Sequence, residues 1–395
     1  MKFKTATLVV GMFLGGLVLT TLSEAAIAAE HAEEIDISRL TRGLIKPIPI
    51  ALSGFSGEVA SVLRFDLEVG GFEIVSGEAA QYAVNGSNNG QVQGELRVVV
   101  TKQSLLNNRY AGGTLRSQAH NLADDIIEKI TGKPGISRYK IAFKGQSGGQ
   151  TEIYISDFDG FNPIPVTRDN ALVAAPCWVP QKRMLYYTSY KGGGPDIYLH
   201  DLNSGERRAV AQYSGLNTSA AVSREGVVAM ILSKSGSPDL YVSSGNGTNL
   251  KQLTRTREDE SSPCWSPDGR HICYVSSVPG VPSLYVISAE GGSPRRLRTA
   301  GAGRVSEPDW SPDGKYIVFT AMRREFEICI VPAEGGDAVT LATGEDPSWA
   351  ANSRTVIFSR RSKGKHVLSL LDVPTKRMKD VAQNLGSCSQ PNWAK

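Results

Sequence analysis

After residue 136 apolar and polar positions alternate with a period of two, in short runs interrupted by Gly, Pro, Asn and Asp. That is the pattern of half-buried strands joined by tight turns. One phrase occurs twice in nearly the same words: Pro263-Cys264-Trp265-Ser266-Pro267-Asp268-Gly269 and Pro308-Asp309-Trp310-Ser311-Pro312-Asp313-Gly314, each followed by an alternating run. Each copy reads as a strand, an Asp-Gly turn and a second strand. Weaker copies keep a Pro-x-Trp start at Pro176-Cys177-Trp178, Pro347-Ser348-Trp349 and Pro391-Asn392-Trp393, while Ala220-Ala221-Val222 holds the place ahead of an Arg224-Glu225-Gly226 turn. The anchors Trp178, Val222, Trp265, Trp310, Trp349 and Trp393 are separated by 44, 43, 45, 39 and 44 residues. This is the period of a four-stranded propeller blade rather than of a helical solenoid unit.

The first blade is short of a strand. Residues 139–143, 152–156 and 165–167 supply three strands, and the missing inner one is found at the far end of the chain, at Gln390-Pro391-Asn392-Trp393. A blade shared by both ends closes the ring and protects its edges. Counting it, the expected architecture is a six-bladed β-propeller over residues 137–395.

Residues 29–136 lack the Trp-anchored period. Residues 47–52, 72–75, 82–84 and 95–100 read as strands, residues 58–67 and 117–130 as helices, and residues 85–94 as a polar turn. Gly132 and Pro134 form a helix stop. The expectation is a small α/β domain with helices on one side of a mixed sheet, so that the chain as a whole is mainly β.

Composition changes this picture little. Forty-one Gly and twenty Pro without a collagen period fit a turn-rich β protein. The formal charge of +4 carries no nucleic-acid signature. The N-terminus adds an address: Lys2 and Lys4 precede an apolar run over residues 8–19, and Ala26-Ile27-Ala28 offers small residues where a signal peptidase reads. Residues 1–28 are expected to be a cleaved export signal, leaving no membrane span. Five cysteines, Cys177, Cys264, Cys273, Cys329 and Cys388, show no metal-ligand spacing. Cys264 and Cys273 flank their turn symmetrically and would face each other, as two buried thiols or as a disulfide.

Candidate chemistry is sparse. Gly145-Gln146-Ser147-Gly148-Gly149 matches a nucleophile elbow in letters, but strands flank it where that elbow needs a helix behind it, so no enzyme is expected. No cofactor and no metal are expected. The repeat does define a surface. Residues ahead of each Pro-x-Trp start converge on one mouth of the channel: Asn217 to Ser219, Glu260 to Ser262, Ser306 with Glu307, and Glu345 with Asp346. Their carboxylates form either solvated loop charge or an anionic arc. The tryptophans, at one fixed place per blade, read as inter-blade core rather than as sugar-stacking faces.

A leader, a small α/β domain and six blades carrying Trp-Ser-Pro-Asp-Gly together resemble the TolB family of the Tol-Pal system. The junction His120-Asn121-Leu122-Ala123-Asp124-Asp125-Ile126-Ile127-Glu128-Lys129-Ile130-Thr131-Gly132, running into residues 137–143 and Ser156-Asp157-Phe158-Asp159-Gly160, carries the likeness furthest. The resemblance implies a periplasmic, monomeric adaptor that supports outer-membrane integrity and envelope constriction at division. It would bind a Pal-type peptidoglycan-associated lipoprotein on the channel rim, at Asn217, Ser219, Glu260, Ser261 and Glu307. It would bind a TolA-type inner-membrane protein through Glu34, Ile35, Asp36, Ile37, Ser38 and Arg39. Where the family has a His and a Thr among its Pal contacts, this chain has Leu216 and Ser261.

Overall fold

The computed structural model describes residues 35, 40, 45–278, 280–381 and 385–395. The small domain contains β1 (Ile48–Ser53), α1 (Gly57–Val69), β2 (Phe72–Ile74), β3 (Tyr82–Ser87), β4 (Val92–Val98), β5 (Ser104–Tyr110) and α2 (Leu115–Thr131). Its strand order is β2-β1-β3-β4-β5. β1 is parallel to β2 and β3, and the remaining pairs are antiparallel, so the sheet is mixed.

α1 buries Val59, Val62, Leu63 and Leu67, which share one face at helical spacing. α2 begins at a Thr114 cap whose hydroxyl accepts from Ser117 N while the Ser117 hydroxyl meets Thr114 N, and it ends at Gly132 with φ 66°. That left-handed residue is what a helix stop requires.

Two local readings change. The polar turn expected over residues 85–94 is shorter, because Asn85 pairs with Glu95 and Gly86 with Gly94. Glycine permits these strands to pass under their neighbours: a Cβ on Gly86 would stand 2.3 Å from the Phe55 ring, and one on Gly94 2.6 Å from Leu122. β5 is an additional strand. Only Leu105 is buried within it, too little alternation to register as a period-two signal.

The propeller has six four-stranded sheets. Blade 1 combines the C-terminal strand Cys388–Trp393 with Lys140–Ser147, Gln150–Asp157 and Ile164–Pro165. In it Trp393 pairs with Ile141 and Cys388 with Gly145, so the ring closes as the repeat count requires. Blades 2 to 6 start with the inner strands Val173–Trp178, Asn217–Val222, Glu260–Trp265, Arg304–Trp310 and Glu345–Trp349. The Asp-Gly turns are wider than two residues, since Ser266 N donates to His271 O and Gly269 N to Ser266 O. Asp268 holds each turn from inside by accepting from the Ser266 hydroxyl at 2.5 Å and from Arg270 N at 3.1 Å.

The small domain packs against blades 1 and 6 at the end of the ring that carries these turns. Arg377 reaches Glu73 at 2.7 Å, Lys379 pairs with Glu68, and Arg116 pairs with Asp159. Arg354, in the inner turn of blade 6, grips Asp372 through Nε at 2.6 Å and Nη2 at 3.2 Å. Gly71 fits beside it only because it has no side chain: a Cβ there would lie 2.3 Å from Arg354 Nη2. The seam also buries Asp66 and His120, with Asp66 Oδ2 2.6 Å from His120 Nδ1. Burial raises the Asp66 carboxyl to about 7 despite this partner. Burial pulls the His120 imidazole down, yet the bond to Asp66 and the charges of Asp66 and Asp159 leave it above its ordinary value.

Ile35 and Leu40 are buried against Val318, Ile328, Trp349 and Phe358 of blades 5 and 6. The Tyr316 hydroxyl donates to Ile35 O. The N-terminal segment is thus met on the propeller, and at Ile35 it belongs to no strand. Glu34, Asp36, Ile37, Ser38 and Arg39, like the expected leader, lie outside the described residues. Among the described residues no helix is long and apolar enough to cross a membrane.

Candidate partner-binding channel

Every inner strand contains the same defect. Between Ser261, which faces Val275, and Cys264, which faces Cys273, the strand carries one residue more than its partner. The register shifts at the corresponding place in the other five blades. The extra residue adopts a left-handed backbone in all six: Ala175 φ 49°, Ser219 55°, Ser262 48°, Glu307 52°, Asp346 56° and Gln390 51°. In five blades the next residue is proline, namely Pro176, Pro263, Pro308, Pro347 and Pro391. Proline cannot donate to a ladder and is tolerated inside a sheet where a bulge releases its nitrogen from pairing. The Pro of each Pro-x-Trp repeat therefore marks the bulge.

These six bulge residues line a channel of about 520 Å³ along the ring axis. The alternating antiparallel strands put their mouth at the end opposite the Asp-Gly turns, and hence opposite the small domain. On one side of the ring the bulges are stitched together. Glu307 Oε2 accepts from Asp346 N at 3.0 Å, Asp346 Oδ2 from Gln390 N at 2.9 Å, and Gln390 Oε1 from Ala175 N at 3.0 Å. A second tier repeats the device one turn deeper: Asp309 Oδ2 accepts from Trp349 N at 2.7 Å and Asn392 Oδ1 from Trp178 N at 2.9 Å. Lys395 Nζ also donates to Asp309, at 2.8 Å. Burial, with the Glu307 charge beside it, holds the Asp346 carboxyl well above the usual carboxylate range.

The residues anticipated on the rim separate into two groups. Ser219 and Glu307 line the channel, and Ser261 is half-buried one position ahead of its bulge. Asn217 and Glu260 are 0% and 1% exposed, so their side chains act inside the blades. Asn217 Nδ2 donates to Tyr213 O at 2.8 Å and Pro195 O at 3.1 Å, which ties adjacent loops to the start of its strand. Glu260 accepts from Thr256 Oγ1 at 2.9 Å and Ser276 Oγ at 3.0 Å. Burial raises its carboxyl to about 7, and neighbouring Asp239 adds to the rise. Both residues shape the rim from below. Sequence reasoning passed over Ala175, Ser262 and Gln390 as channel residues, although each occupies the position before proline that Glu307 and Asp346 occupy.

Other candidate chemistry is accounted for. Ser147 sits where Lys140–Ser147 turns into Gln150–Asp157 through Gly148 and Gly149, with Ser147 facing Gln150, so the Gly-x-Ser-x-Gly letters form a two-residue hairpin turn. Trp349 and Trp393 are 0% and 1% exposed, which withdraws them from any ligand. Trp265 Nε1 donates across to Ala221 O of the preceding blade at 3.1 Å. Cys264 and Cys273 face each other as the turn symmetry requires, and the five cysteines are free thiols. Burial raises the Cys177 thiol to about 11.

Comparison with known proteins agrees with this architecture. A family profile described as TolB beta propeller domain matches residues 127–395. The Tol-Pal system protein TolB of Bordetella pertussis is 30% identical over 284 residues, covering 71% of this chain and 65% of that protein. Its counterpart in Bordetella parapertussis is equally similar, with 71% and 64% covered. The chain thus spans about 65% of the length of these relatives. Among solved structures, TolB from Acinetobacter baumannii superposes with a TM-score of 0.81 at 23% identity, covering 89% of this chain and 97% of that one. With its blades matched from residue 127 to its last residue, the chain belongs to the TolB β-propeller family.

Proposed function

We propose that the protein is a non-enzymatic, periplasmic adaptor of the Tol-Pal system. It docks a Pal-type peptidoglycan-associated lipoprotein on the channel mouth and a TolA-type inner-membrane protein through its N-terminal segment, and so supports outer-membrane integrity and constriction at division. The observation that carries this reading is the mouth itself. Six bulges of one geometry surround it, and the small domain leaves it open. Such a surface needs little ordering on binding, which favours affinity. Ser219, Ser261 and Glu307 present side chains to the partner, while Asn217 and Glu260 hold the rim from within.

The test is calorimetric titration of the soluble domain of a Pal-type lipoprotein. Ser261→Arg should clash with the docked partner and cost more than about 2 kcal/mol, the scale of a central contact. The same change at exposed Ser204, in a turn at the opposite end of blade 2, should be neutral. Equal affinities would move the partner to another surface. For the N-terminal contact, Ile37→Pro removes a backbone donor that strand addition needs. It should weaken a TolA-type partner and spare the Pal-type one; equal retention of both would count against that site.

A further inference from the structure

Loops on the channel-mouth face differ from blade to blade. In blades 2 to 4 the two central strands have six residues each, as in Met184–Ser189 and Asp196–Asp201 or His271–Ser276 and Ser283–Ser288. In blade 5 they have seven, Tyr316–Met322 and Phe326–Pro332, and in blade 6 eight, Thr355–Ser362 and Lys365–Asp372. Their starts align on the Trp anchors, since Trp178, Trp265, Trp310 and Trp349 face Leu185, Ile272, Ile317 and Val356. The added residues therefore all extend the mouth end, by about 3 to 7 Å at roughly 3.3 Å per residue.

These two projecting tips share a composition. The blade 5 tip reads Met322-Arg323-Arg324-Glu325-Phe326, and the blade 6 tip Arg361-Ser362-Lys363-Gly364-Lys365. Met322 is 41% and Phe326 44% exposed, facing each other across the hairpin. Arg324, Arg361, Lys363 and Lys365 are exposed, against one exposed carboxylate, Glu325. Arg323 is committed to structure, donating to Glu327 at 2.7 Å and to Gly301 O at 2.6 Å. Other cations of this face are tied down: Lys191 lies 3.8 Å from the Tyr198 ring centroid and Lys234 4.1 Å from that of Tyr213. Blade 1 has long strands too, yet its tip is Gly148-Gly149 without charge.

We propose that the tips of blades 5 and 6 form a docking surface for an anionic phospholipid bilayer. Four exposed cations complement a phosphate-bearing surface, and each basic residue close to such a surface contributes about fivefold in affinity. Met322 and Phe326 stand at the summit of a protruding hairpin. Such a convex apolar pair fits insertion among headgroups and acyl chains, whereas a protein interface core is assembled on complementary packed surfaces. Arginine and lysine stems lie along the interface with their charges in water. This surface lies outside the channel and does not rest on the lipoprotein reading.

The experiment is co-sedimentation of residues 29–395, without partner proteins, with vesicles of phosphatidylglycerol mixed with phosphatidylcholine and with vesicles of phosphatidylcholine alone. Binding to the anionic vesicles at low salt, weakened by added salt, is expected. Arg324→Ser with Lys363→Ser should weaken it roughly 25-fold, at about fivefold per cation removed. Met322→Ser with Phe326→Ser should weaken vesicle binding several-fold while leaving retention on soluble heparin unchanged. Lys182→Ser with Arg183→Ser, at the opposite end of blade 2, should leave vesicle binding as it was. Equal binding to both vesicle types, no binding to the anionic ones, wild-type binding by the tip variants, or equal loss in the Lys182 and Arg183 variant would each overturn the proposal. So would retention on heparin without vesicle binding, which would point to a soluble polyanion.

Discussion

The two halves of the channel wall share a backbone and differ in what they do with it. At blades 5, 6 and 1 the bulge residues are Glu307, Asp346 and Gln390, and each accepts the backbone N–H of the next bulge. At blades 2, 3 and 4 they are Ala175, Ser219 and Ser262, with side chains too short to reach a neighbouring blade. The left-handed conformation is common to all six, so the repeat dictates it, and the side chain decides whether adjacent blades are stitched. The stitching falls where the ring needs it. Blade 1 is the blade assembled from both ends of the chain, and its C-terminal strand is tied on both sides, to Asp346 of blade 6 and through Gln390 and Asn392 to blade 2. Elsewhere the covalent run of the chain keeps successive blades together.

Breaking the stitched half at its centre should have the largest effect. Deleting residues 390–395 removes Trp393, 1% exposed, together with both tiers of bonds around it. Loss of a buried Trp side chain costs about 3–5 kcal/mol, and the exposed inner edge of blade 1 adds to it. Thermal melting should show a much lower transition; an unchanged one would mean that this strand does not close the ring.

Asp309→Ala comes next. It strips the acceptor from Trp349 N and from Lys395, and a buried donor left without a partner costs about 1–3 kcal/mol. Chemical denaturation should show that loss with little change in the slope against denaturant.

A smaller effect separates the halves by pH. The folded-state pKa of Asp346 lies above its ordinary value, so the folded chain binds more protons than the unfolded one. The stabilisation is complete below the ordinary carboxylate range and is lost as pH rises through the raised value. Glu260 and Asp66, both raised to about 7, act in the same direction. Stability should therefore fall from weakly acidic to weakly alkaline pH, and Asp346→Asn should flatten part of that slope. An identical slope in the variant would place the proton uptake elsewhere.

On the unstitched side Ser262→Ala should change stability by no more than about 0.5 kcal/mol and leave the pH slope intact. A loss as large as that of Asp309→Ala would show that the two halves are stitched alike.

The spacing of Trp178, Val222, Trp265, Trp310, Trp349 and Trp393 was sufficient to count the blades and to assign the last strand to the first blade. Both are consequences of a repeat whose units cannot bury their faces alone. Periodicity likewise located α1 and α2, because each buries one continuous face. Two features were beyond it. β5 shows no alternation because its partner covers one edge and a single leucine supplies its burial. The separation of Asn217 and Glu260 from Ser219 and Glu307 depends on a one-residue bulge, which reverses which side chains face the axis. Proline before Trp marks that bulge in the sequence, but only the register between strands reveals the marker's meaning. Local pattern decided the elements and their number, since turn chemistry and side-chain period act over a few residues. The stitched wall, the seam at Asp66 and His120, and the projecting tips beside the mouth depend on residues from distant parts of the chain, which only the closed ring brings together.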